Sequence, residues 1–117
     1  MLDTTGTLTT VDIGAFTTEA GATIPAVTIA YQAWGEFNGD NLILVEHALT
    51  GDSNVADWWQ DLLGPGKAFD TDKYCILCTN ALGGCRGSTG PASLDPTGVP
   101  WGSRFPALSV RDLVNVE

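Results

Sequence analysis

Basic residues are scarce in this 117-residue chain: 5 Lys and Arg stand against 14 Asp and Glu, a net charge of −9. A surface of that sign repels phosphate backbones and anionic headgroups, which argues against nucleic acid or a membrane as a partner. One local basic contact to a phosphate remains compatible with it. Long apolar runs are missing as well. No stretch reaches the roughly 18 to 20 residues that a membrane span needs. The opening "MLDTTGTLTT" has neither a positive n-region nor an apolar h-region, so no secretory signal is expected. Cysteine is sparse and odd in number, at Cys75, Cys78 and Cys85, the usage of reduced thiols in a cytoplasm. Histidine occurs once, at His47, and no G-x-S-x-G nucleophile elbow is found.

What is present is a foldable core. Hydrophobic residues make up 44% of the chain, which fits one domain of modest size. Residues 8–13 read as a strand with Gly14 as punctuation. "IPAVTIAYQAWG" reads as a second strand, with Val27, Ile29, Tyr31 and Ala33 on one face and Thr28, Ala30, Gln32 and Trp34 on the other. The polar turn between them, with Gly21, makes an antiparallel pair. Residues 42–45 are apolar at consecutive positions, the pattern of a parallel strand buried on both faces. Val55, Trp58, Trp59, Leu62 and Leu63 then form one helical stripe, capped by Asn54 and stopped by "GPG" at 64–66. "YCILCTN" at 74–80 is the next strand and closes a βαβ unit. The Gly/Pro-rich stretch 83–106 is a candidate functional loop. Ser109 and Asp112 fit a capping box for a last helix, with Val110, Leu113 and Val114 as its stripe. The fold class is therefore α/β, an antiparallel strand pair leading into parallel βαβ strands. Residues 1–117 are expected to form a single incomplete domain whose chain continues past Glu117.

The chemistry-bearing patterns are few. "CILC" is a C-x-x-C, but within a strand, residues three apart point to opposite faces, so the sulfurs should not meet. With one His and no second C-x-x-C, a metal site is not expected. "GGCRGSTG" follows a strand but lacks both the P-loop Lys and the G-x-G-x-x-G spacing, leaving Arg86 as a candidate anion contact. A Ser-His-Asp triad needs three groups brought together. Ser53, Ser88 and Ser93 are available, and none sits in an elbow. A structural histidine is thus the better reading of His47. The loop "HALTG" after the third strand is a different matter. In acyl-transfer folds such a loop can offer a backbone N–H to an oxyanion.

"HALTGDSNVADWW", "LLGPGKAFDTDKY", "NALGGCRGSTGPASLDP" and "RFPALSVRDLV" resemble successive blocks of the homoserine O-acetyltransferase family. The resemblance runs from about Tyr31 to Glu117 with the blocks in family order. It implies the N-terminal portion of an α/β-hydrolase fold and acetyl transfer from acetyl-CoA to homoserine, on the way to methionine. Acetyl-CoA enters as a co-substrate, with no bound cofactor, and the complete enzyme is a candidate homodimer. The family pattern assigns the oxyanion-hole amide to Leu49, with Ala48, Thr50 and Gly51 around the substrate, and gives His47 no part in the triad. The catalytic Ser, Asp and His of the family lie later than this sequence reaches, so residues 1–117 alone are expected to be inactive. Two other readings stay open: a non-catalytic binding or assembly module, and a hydrolase of the same fold.

Overall fold

A computed structural model describes residues 2–117, which form two compact units. The first holds the residues up to Thr9 together with Tyr31–Thr79, and the second holds Thr10–Ala30 together with Asn80–Glu117. Strand β1 spans Thr9–Thr17 and β2 spans Thr23–Trp34. They are hydrogen-bonded neighbours joined through a turn in which Thr18 N–H donates to Ala22 O at 2.8 Å. So short a connection makes the pair antiparallel, as expected. Gly14 does not end β1. It lies inside the strand at a φ of 80°, a conformation that glycine adopts without the penalty of a Cβ.

The β2 alternation holds only in part. From Ile29 to Ala33 every residue is buried, because the strand is covered on both faces there. In the first unit, β2 continues antiparallel against β4, Cys75–Thr79, with Tyr31 opposite Thr79 and Trp34 opposite Ile76. Strand β3, Leu42–Leu44, pairs parallel with β4, with Leu42 opposite Cys75. The strand order is β1-β2-β4-β3, a mixed sheet containing the expected parallel βαβ pair. One expectation fails here. Leu42 and Leu44 are 45% and 46% exposed, and only Ile43 and Val45 turn inward, to Val55, Ile76 and Cys78. Among the described residues β3 is the last strand in the order, and the face that carries Leu42 and Leu44 has no covering layer.

Helix α1 is shorter than its stripe implies: it spans Val55–Trp58 only. The backbone beyond it finds other partners. Phe69 N–H donates to Leu62 O at 2.8 Å and Gly64 N–H to Phe69 O at 3.1 Å, so residues 62–64 pair sideways instead of continuing the helix. Asn54 occupies the N-cap position, but its side chain does not cap.

The second unit packs Ile24, Val27 and Ile29 against Leu82 and Val116, with Phe16, Trp101, Phe105, Leu108 and Leu113 around them. The stretch 83–106 is built from turns and one 3₁₀ turn, Gly102–Arg104. Helix α2, Val110–Asn115, carries the capping box read from sequence: Asp112 N–H donates to Ser109 Oγ at 3.0 Å, and Ser109 N–H to Asp112 Oδ2 at 2.9 Å. Of the predicted stripe, only Leu113 faces the core. Val110 and Val114 are 79% and 65% exposed, while Leu113 and Val116 enter the core. The buried Asp112 carboxylate also accepts Glu19 N–H at 2.8 Å, and that bond to the β1–β2 turn sets the helix rotation.

Asp95 fixes the turn before the 3₁₀ segment. It accepts from Thr97 Oγ1 at 2.6 Å and from Val99 N–H at 3.1 Å, and pairs with Arg104 at 2.8 Å. The Thr97 hydroxyl foremost, then Arg104 and Val99 N–H, hold this carboxyl far below the ordinary value of 3.8. A depressed folded-state pKa contributes stability that is present above the unfolded value and lost as pH falls through the folded one. Thermal melts below about pH 4 should therefore drop less steeply for Asp95→Asn than for the native chain. Identical slopes would show that Asp95 carries no acid-linked stability.

Candidate functional site

The loop after β3 begins where Val45 N–H donates to Leu77 O of β4 at 2.8 Å. It then leaves the sheet. Gly51 N–H returns to Ala48 O at 2.8 Å, closing a β-turn with Leu49 and Thr50 at its centre. The φ of Gly51 is not in the left-handed region. A Cβ there would lie 3.2 Å from Ala48 O and 3.4 Å from Ala48 N and His47 Cβ.

Leu49 sits at the outer corner of this turn with its side chain 99% exposed. Among the described residues no acceptor is bonded to its N–H. Ala48, Thr50 and Gly51 line one open cleft of about 630 Å³ together with His47. The far wall is aromatic: Trp58 and Trp59 face the same cleft, and the carboxylates of Glu46, Asp52 and Asp57 rim it. Sequence periodicity assigned both tryptophans to a buried helical stripe. Trp59 is instead 39% exposed and stacks on Phe69, with ring centroids 5.4 Å apart and planes at 15°. Trp59 lies just past the end of α1 at Trp58, which the helical spacing did not reveal.

His47 is half-buried, and its Nδ1 lies 2.7 Å from Ala48 O. A carbonyl only accepts, so Nδ1 carries the proton and the ring is held against its own loop. The serines weighed as nucleophiles are all engaged in structure. Ser53 is 1% exposed and donates to Gln32 Oε1 at 2.7 Å. Ser88 accepts Ala30 N–H at 2.9 Å and donates to Asn80 O at 2.5 Å. Ser93 accepts Gly90 N–H at 2.9 Å. Arg86 lies exposed in the second unit. Cys75 and Cys78 are buried free thiols on alternate faces of β4, and burial pushes the Cys75 thiol up, which makes it a poor nucleophile. Among the described residues no cluster of His, Cys, Asp and Glu is placed to hold a metal, and no helix is long and apolar enough to cross a membrane.

The mixed sheet, the β3–α1–β4 crossover and the loop leaving β3 define the N-terminal portion of an α/β-hydrolase fold. Solved structures bear this out. Esterase E22 superposes with a TM-score of 0.86 at 32% identity, covering 94% of this chain and 35% of its own. A homoserine O-acetyltransferase from Bacillus anthracis superposes at 0.83 and 29% identity, covering 94% of this chain and 34% of its own.

Sequence relatives are narrower. Homoserine O-acetyltransferase of Corynebacterium diphtheriae is 72% identical over 117 residues, all of this chain and 32% of that enzyme. The enzyme of the same description from Corynebacterium glutamicum is 62% identical over 110 residues, 90% of this chain and 29% of its own. No family model matches the chain. The resemblance carried by the sequence blocks thus extends along the whole chain, as a match to the N-terminal part of homoserine O-acetyltransferases. The chain spans about a third of the length of the curated relatives it matches.

Proposed function

We propose that this chain is the N-terminal part of a homoserine O-acetyltransferase acting in cytoplasmic methionine biosynthesis, with acetyl-CoA as donor and homoserine as acceptor. The observation that carries the reading is the 72% identity over all 117 residues to an enzyme of that name. In this reading a serine outside residues 2–117 attacks the thioester carbonyl of acetyl-CoA. The carbonyl electron pair moves onto oxygen, and in this reading the Leu49 N–H donates to that oxyanion. Collapse expels the CoA thiolate, which takes the proton released by the serine, and leaves an acetyl-serine. The homoserine hydroxyl then attacks, and the serine leaves with the acceptor's proton, a ping-pong sequence. Ala48, Thr50 and Gly51 shape the acyl end of the cleft; Arg86, exposed in the second unit, is a candidate anion contact. No bound cofactor is required, and the complete enzyme assembles as a homodimer.

A hydrolase of the same fold is the second reading, favoured by the TM-score of 0.86 to an esterase. There, water replaces homoserine. The two are separated by assaying the complete enzyme for thiol release from acetyl-CoA with and without homoserine. Release that requires homoserine and yields O-acetylhomoserine is the expected result. Equal release without homoserine would establish the hydrolase.

A further inference from the structure

Strand β2 carries one side chain that its surroundings do not call for. Gln32 lies between Tyr31 and Ala33, both buried, and is itself only 9% exposed. A buried primary amide is costly unless both ends are bonded. Both are: Nε2 donates to Gly6 O at 2.8 Å, and Oε1 accepts from Ser53 Oγ at 2.7 Å. Ser53 is the residue at which the "HALTGDS" loop returns to the body of the unit. The residues beside it are tied as well. Asp52 O accepts the Trp58 indole N–H at 3.1 Å, Asp52 Oδ1 accepts Asn54 N–H at 2.9 Å, and Ser53 O accepts Val55 N–H at 2.9 Å.

The loop is therefore fastened at two legs. The first is Val45 on β4, held by the sheet ladder. The second is Ser53 on β2, held through Gln32. Between them, residues 46–52 contain one internal backbone bond, the Gly51–Ala48 turn. The Leu49 side chain packs against nothing, so the direction of its N–H follows the loop backbone, which the two legs and the His47 Nδ1–Ala48 O bond hold.

We infer that Gln32 and Ser53 are positioning residues that aim the Leu49 amide at the reacting carbonyl oxygen. The inference rests on the acyltransferase reading of that amide. An oxyanion donor acts in the transition state, and a misplacement of about 1 Å can cost about 10²-fold in rate. Loosening the second leg should therefore lower kcat and leave KM for acetyl-CoA nearly unchanged.

The test has two arms. In the complete enzyme, exchange of the Trp58 indole proton, which is bonded to Asp52 O beside Ser53, reports on the leg. It should quicken at least tenfold in Gln32→Met, which keeps the side-chain length and removes both bonds. In the complete acetyltransferase, Gln32→Met and Ser53→Ala should each lower kcat about 10- to 100-fold with KM within twofold. The double variant should be no worse than either single one, because the pair acts as one strut. Gln32→Glu, which can still accept from Ser53, should recover part of the rate. Unchanged kcat in both single variants, with Leu49→Pro inactive, overturns the strut and leaves the acyltransferase reading standing. So do additive losses, losses that track melting temperature alone, or unaltered indole exchange. Full activity of Leu49→Pro overturns the acyltransferase role of the amide itself.

Discussion

Leu49→Pro in the complete acyltransferase is expected to lower kcat by roughly 10²–10³, while Leu49→Ala stays within a few-fold of the native enzyme. The size is that of losing one oxyanion-hole donor. The contrast between the two substitutions follows from the turn. Leu49 is the second residue of a β-turn closed by Gly51 N–H to Ala48 O at 2.8 Å. Proline is favoured at that position because its fixed φ suits the turn. The substitution therefore removes the N–H while preserving the turn that presents it. Alanine keeps the N–H and deletes a side chain that is 99% exposed and packs against nothing. Steady-state kinetics with acetyl-CoA and homoserine decide it. Equal losses for both substitutions would mean that the Leu49 side chain, and not its amide, is used in the complete enzyme.

The legible part of this molecule was the part written in local backbone chemistry. Ser109 and Asp112 announce a capping box because their side chains satisfy N–H groups within three residues, whatever surrounds them. The parallel crossover from β3 to β4 was legible for a similar reason: apolar runs separated by a helical start leave few alternatives. What failed depended on partners distant in sequence. The stripe from Val55 to Leu63 has helical spacing, yet Phe69 captures the Leu62 carbonyl and the helix ends at Trp58. The rotation of α2 followed Asp112, which reaches back 93 residues to Glu19, and so Val110 and Val114 turned outward. Leu42 and Leu44 were read as doubly buried because their composition suits a central strand, but among the described residues nothing covers the face they share. At the candidate site the sequence pointed to the loop and to its glycine. It could not point to Gln32, whose partners Gly6 and Ser53 lie 26 and 21 residues away. Nor could it show that Gly51 stands close to Ala48 O rather than at a positive φ.

Residues 1–117 produced alone are expected to release no thiol from acetyl-CoA above background, with or without homoserine. Serine catalysis needs a hydroxyl within hydrogen-bond reach of a base, and the base needs an orienting acid. The chain has one histidine, and the compact unit that contains it has one serine, Ser53. That serine is closed to solvent at 1% exposure, and its hydroxyl donates to Gln32 Oε1 at 2.7 Å. His47 is turned toward Ala48 O through Nδ1, so a backbone carbonyl occupies the place where an orienting carboxylate would stand. The buried thiols offer no substitute, since burial disfavours the Cys75 thiolate and only thiolates attack efficiently. A backbone donor alone, without nucleophile and base, stabilises an oxyanion that nothing has formed. The measurement is thiol release monitored continuously on chain purified through two orthogonal steps. Turnover that survives both steps and disappears in His47→Ala would sink the expectation and make His47 a base. Turnover that survives purification but persists in His47→Ala would point to Cys85, the exposed thiol, as an acyl acceptor.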